Sequence, residues 1–124
     1  MPTLKRRAIE FLKCVGGGDV HIALIGDHKM RSLNQRFRGL SRTTDVLSFS
    51  APTGAVLLGD IAISIPRAKK QAHERCLTLL DEVTHLVCHG ILHLKGYDHE
   101  TPTEKRAMLR EEARLLAASA RPLS

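Results

Sequence analysis

The stretch Thr78–His99 reads TLLDEVTHLVCHGILHLKGYDH and contains the longest apolar-periodic segment of the chain. Leu79, Leu80, Val83, Leu86, Val87, Ile91 and Leu94 recur at helical spacing, which predicts a helix over 78–94 with a broad apolar face. So broad a face suits a helix covered on most sides, so this segment is expected at the centre of the fold. Gly96 ends it.

The same helix carries a chemical signal. His89 and His93 lie four residues apart, which on a helix turns one from the other by only about 40° and separates them by about 6 Å along the axis. Both imidazoles can therefore reach one ion. His99 follows the break at Gly96, and that break lets the chain turn back so that a third nitrogen approaches the same point. Three protein ligands with one open position are the arrangement of a catalytic zinc site. His89, His93 and His99 are thus the expected metal ligands, with zinc, one ion per chain, as the cofactor. A lone histidine is more often a hydrogen-bonded core residue than a ligand, and only the set carries the inference.

Neighbouring residues divide by the same reasoning. His85 extends the histidine stripe by one more turn, but a fourth protein ligand would close the open position, so it is expected as a partner or core residue outside the ligand set. Asp98 and Glu100 flank His99 and read either as groups that orient an imidazole or take a proton, or as solvated loop carboxylates. Cys88 points about 100° away from His89 on the helix, so it is expected to be a buried, inert thiol. His21, His28 and His73 sit apart from the cluster, with surface or core roles. Metalloproteases of the H-E-x-x-H type place their general base next to the first histidine, where this chain has Gly90. Peptide hydrolysis by that route lacks its base. A hydrolytic reaction here would rely on metal-bound water acidified to a pKa of about 7 and on cations holding the developing charge.

Outward from this core, Leu4–Val15 predicts an amphipathic helix stopped by Gly16-Gly17-Gly18, and Val20–Ile25 a strand. A helix from about His28 to Phe37 is expected next, with Asp27 as its cap and Met30, Leu33 and Phe37 facing inward. Residues Arg38–Thr44 read as a loop, Val46–Ser50 and Leu58–Ser64 as strands, and Pro66 opens a short helix to about His73. Thr101-Pro102-Thr103-Glu104 is a capping box for a final helix to about Ala120. This order predicts one α+β domain over 1–124, a small mixed sheet packed with helices, with strand order left open.

Composition narrows the partners. Hydrophobic residues make up 43% and charged residues 26% of 124, which is a globular balance. Only Phe11, Phe37, Phe49 and Tyr97 are aromatic, so a platform of several rings for stacking nucleic-acid bases is not expected. The net charge of +6 suits an anionic partner, or simply a basic surface. Cys14, Cys76 and Cys88 are an odd number with no C-x-x-C spacing, which argues for a reducing, cytoplasmic setting. No apolar run approaches signal length or the roughly 20 residues of a membrane span.

The run His89–His99 resembles the signature of the YbeY family, bacterial endoribonucleases of rRNA maturation. Asn34 through Arg38-Gly39 to Thr44-Asp45-Val46-Leu47-Ser48-Phe49 resembles a second block of that family, and Leu58–Ser64 a third. The resemblance implies a zinc-binding, single-strand-specific endoribonuclease acting at the small-subunit rRNA 3′ end and in ribosome quality control. Its partners would be single-stranded RNA, ribosomal RNA and the ribosome, with no membrane. The family's metal ligands carry over onto His89, His93 and His99, and its important arginine onto Arg38 as the catalytic residue. A guanidinium suits that role because it holds phosphate bidentately; on residue pattern alone Arg38 reads as a solvated loop cation. The rival reading is a ribosome-associated RNA-binding module that zinc merely stabilises, with weak or no nuclease activity.

Overall fold

The structure, a computed structural model, describes residues 2–39, 44–52, 54, 56–98 and 100–119, leaving aside the side chains of Arg38 and Ser119. In chain order the elements are α1 (Pro2–Cys14), β1 (Asp19–Ile25), α2 (Asp27–Arg38), β2 (Val46–Ser50), β3 (Leu57–Ser64), α3 (Ile65–Glu74), α4 (Leu79–Leu94) and α5 (Pro102–Ser119). The α+β architecture with a small mixed sheet is as expected, and the strand order is now defined. β3 is central, parallel to β1 and antiparallel to β2.

Side-chain alternation along β3 sorts the two faces of the sheet. Ile61 and Ile63 enter a large core with α1, α4 and α5, while Ala62 between them joins a smaller cluster with Met30 of α2 and Leu47 of β2. β2 alternates likewise: Val46 packs against the large core and Leu47 and Phe49 against the small cluster. The sheet is therefore covered on one face by α4 and at one end of the other by α2.

α4 is the central helix, touching α1, α3, α5, β2 and β3. Val83, Leu86, Val87, Cys88, Gly90, Ile91 and Leu92 are buried along it. Its start is fixed by Thr78, whose hydroxyl accepts the Asp81 amide N–H at 3.1 Å. Thr101 does the same for α5 through the Glu104 N–H at 3.1 Å, as the capping box predicts.

Two expectations are corrected. Asp27 does not cap α2: Gly26 occupies the N-cap position without a side-chain bond, and Asp27, inside the first turn, accepts the Ser64 hydroxyl at 3.0 Å. Ser64 also accepts the Arg67 amide at 3.3 Å as the cap of α3, so one hydroxyl joins the starts of two helices. Phe37 does not face inward. Met30 is fully buried, but Phe37, near the end of α2, is 57% exposed. The helix has by then run past the small cluster. Arg38 is the last residue of α2, and Gly39 closes the helix in the left-handed region at φ 68°; residues 40–43 of the expected loop lie outside the described residues.

Gly90 explains how closely α4 approaches the sheet. A Cβ built there would stand 2.9 Å from both Cδ1 and Cγ2 of Ile61, itself fully buried. Gly90→Ala should gain up to about 1 kcal/mol in helix propensity and lose about 1–3 kcal/mol to overpacking. The expected outcome is a lower urea midpoint with an unchanged slope; a midpoint at or above wild type would show that Ile61 yields without cost.

Candidate active site

The buried residues of α4 leave one polar stripe, on which His85, His89 and His93 are half-buried. The rings of His89 and His93 are 4.8 Å apart between centroids and inclined at 71°. They are brought together as the four-residue spacing predicts. The third expected ligand, His99, lies outside the described residues, as does the side chain of Arg38. Among the described residues no three His, Cys, Asp or Glu gather as a metal-holding group.

His89 is held from behind. Its Nδ1 lies 2.8 Å from Glu112 Oε1 of α5, with the two side chains 31% and 21% exposed. A carboxylate partner makes Nδ1 the protonated nitrogen and leaves the lone pair on Nε2, the tautomer and orientation a metal-ligating histidine needs. Nothing in the local sequence marks Glu112. It lies 23 residues from His89 and is one of two adjacent glutamates in α5, so no spacing distinguished it.

In front of the two histidines is a cleft of about 530 Å³ between α4 and β2. Ser48 and Ser50 line it from the strand, His89, His93 and Leu94 from the helix, and Asp98 and Glu100 from the segment after α4. The alternation that sends Leu47 and Phe49 to the far face of the sheet turns the serines toward the imidazoles. Asp98 and Glu100 both line the cleft, Glu100 exposed, and the carboxylate that holds His89 is Glu112. Asp45, also at the cleft wall, is bonded within the scaffold: it accepts the Val46 N–H at 2.8 Å and the Gln71 amide at 3.3 Å.

Beyond the His89–Glu112 pair is a smaller hollow of about 300 Å³, lined among others by His85, Arg75 and Lys105. His85 faces this hollow and is absent from the lining of the main cleft. His21 is exposed and pairs with Asp60 across the β1/β3 register at 3.2 Å, well removed in role from the α4 stripe.

Cys88 is fully buried, and burial pushes its thiol up to about 12, with the Glu112 and Glu111 carboxylates adding to the rise. A thiol so placed stays protonated and packs as a small apolar group. Iodoacetamide at about pH 8 should therefore label exposed Cys76 in the native protein and Cys88 only after denaturation. Native labelling of Cys88, read by mass spectrometry of the digest, would contradict this.

Comparison with known proteins gives concordant matches. The family model described as Endoribonuclease YbeY matches residues 3–120. A protein named endoribonuclease YbeY from Anaeromyxobacter sp. (strain Fw109-5) is 42% identical over 120 residues, covering 93% of this chain and 62% of its own length. The protein of that name from Pelotomaculum thermopropionicum is 38% identical over 124 residues, covering 91% and 82%. A Thermotoga maritima protein solved in solution superposes with a TM-score of 0.70 at 31% identity, over 95% of this chain and 79% of that one. The chain spans about 62% of the length of the Anaeromyxobacter relative. Among the described residues, no helix is long and apolar enough to cross a membrane.

Proposed function

The chain belongs to the endoribonuclease YbeY family, and from that premise we propose that it is a metal-dependent endoribonuclease cutting single-stranded RNA. Its substrate is ribosomal RNA at the small-subunit 3′ end, with a part in ribosome quality control, and its cofactor is one zinc ion on His89, His93 and His99. The observation that carries this reading is the pairing of His89 with Glu112 at 2.8 Å beside the His93 ring, at the wall of an open polar cleft. A half-buried carboxylate behind an imidazole, with a second imidazole one turn along, is the donor chemistry a zinc site requires.

When bound, zinc supplies Lewis-acid stabilisation of a phosphodiester oxygen or a hydroxide available near neutral pH. The chain's own residues do the rest. Glu112 keeps His89 in one tautomer and one orientation. Ser48 and Ser50 offer hydroxyls along the cleft wall, where they can donate to phosphate oxygens. Arg38, through the family resemblance, clamps a phosphate and spreads its charge. Asp98 and Glu100 are the carboxylates within the cleft that can take a proton from an attacking hydroxyl. The net charge of +6 draws the polyanion in from solution.

Metal content and cleavage of single-stranded RNA, measured together, test the reading. His93→Ala should lose both. Glu112→Gln should retain the fold with metal affinity lowered about 10–100-fold. Arg38→Ala should keep metal and fold while cleavage is lost. Full metal occupancy in His93→Ala would refute the ligand assignment. Wild-type protein that cuts no better than a metal-stripped control would sink the enzyme reading in favour of an RNA-binding module.

A further inference from the structure

Phe37 stands apart from the other exposed apolar side chains, Ile9, Leu24, Val56 and Leu109, because it is an aromatic ring with a cation already on it. The Cζ of Arg36 lies 5.6 Å from the ring centroid. The ring also meets Phe49, with centroids 4.9 Å apart and planes inclined at 57°. Phe49 is partly buried against Met30, Leu47 and Ala62, so the exposed ring rests on one that is anchored in the protein. In a chain with three phenylalanines, only Phe11 is fully buried, while Phe37 is more than half in water.

The position of this ring connects it to the cleft. Phe49 lies in β2 between Ser48 and Ser50, both of which line the cleft on the opposite face of the sheet. In the sheet order β1-β3-β2, β2 is at the edge. Through its contact with Phe49, Phe37 therefore stands across this edge strand from the cleft-lining serines.

We propose that Phe37, supported by Phe49 and accompanied by Arg36, is a stacking surface for an RNA base outside the cleft. The inference rests on the RNA-cleaving reading above. The ring offers a π-face that accepts any base, and the guanidinium pairs with a phosphate of the same strand. Phe37 is then a substrate-positioning residue: it touches RNA away from the scissile bond and holds the strand in register over the β2 edge.

The test is fluorescence anisotropy with labelled single-stranded RNA of about a dozen nucleotides, run beside cleavage kinetics. Phe37→Ala should raise the Kd and KM about tenfold with kcat unchanged, and Phe37→Tyr should restore both. Phe37→Leu keeps an apolar contact to Phe49 but has no π-face, and should bind as weakly as the alanine variant. A 2-aminopurine base in the RNA should be quenched on wild type and Phe37→Tyr and lose that quenching on Phe37→Leu. Wild-type binding and quenching in Phe37→Leu would overturn the stacking role and leave the nuclease reading standing. A wild-type protein that binds no single-stranded RNA would overturn both.

Discussion

The contact between Gly90 and Ile61 sets the distance between the central helix and the sheet, and the site depends on that distance. With no side chain at position 90, α4 lies directly on the fully buried Ile61 of β3. His89 and His93, to either side of that line of contact in sequence, then stand beside the sheet edge and across a cleft from Ser48 and Ser50. A larger residue at 90 would lift the helix and widen the gap between imidazoles and strand. Interiors are packed densely enough that such a shift is transmitted rather than absorbed. The apolar contact thus fixes a polar geometry to which it contributes no polar atom.

A second constraint acts from α5. Glu112 accepts from His89 at 2.8 Å, and the same carboxylate adds to the rise of the Cys88 thiol, which burial chiefly causes. The carboxylate acts on its two neighbours in the same sense, keeping a hydrogen on each. It favours a protonated Nδ1 on the imidazole, and it disfavours the thiolate next along the chain. A cysteine beside an expected metal ligand is a potential competing ligand, because thiolate sulfur binds zinc well. Here the thiol is held neutral inside the core, and the ring next to it is held ready.

What the sequence disclosed follows from where each signal is local. The α4 helix, the Thr101 capping box and the strands Val46–Ser50 and Leu58–Ser64 all depend on residues within a few positions, and these agree with the structure to within one or two residues. The pairing of His89 with His93 is also local, since four residues on a helix set it. Strand order is not, because β1 pairs with β3 across α2 and β2. Glu112 was invisible for the same reason. Phe37 misleads for a different reason: its spacing from Met30 and Leu33 is that of a core-facing residue, but a helix can outrun the surface it covers, and at that last turn the ring rests on Phe49 while the residue stays 57% exposed. Asp27 misled because aspartate is favoured both at an N-cap and within the first turn, and the Ser64 hydroxyl claims it at the second.

Gly90 also separates this site from a metalloprotease on structural grounds that the motif alone does not supply. In H-E-x-x-H proteins the residue after the first histidine is the general base. Here the side-chain direction at position 90 runs into Ile61, so a glutamate would have to displace core side chains. A carboxylate placed in that contact would be buried without a hydrogen-bonding partner, which is among the most destabilising changes a core can suffer. The position that would carry the protease base is therefore committed to the helix–sheet contact. Besides Asp45, which is bonded within the scaffold, the carboxylates that reach the cleft come from beyond the helix, at Asp98 and Glu100. Those two residues share the cleft with Ser48 and Ser50 of β2, whereas position 90 faces the core. The packing that builds the fold thereby keeps a carboxylate out of position 90 and leaves Asp98 and Glu100 at the cleft, where the proposed reaction would draw on them.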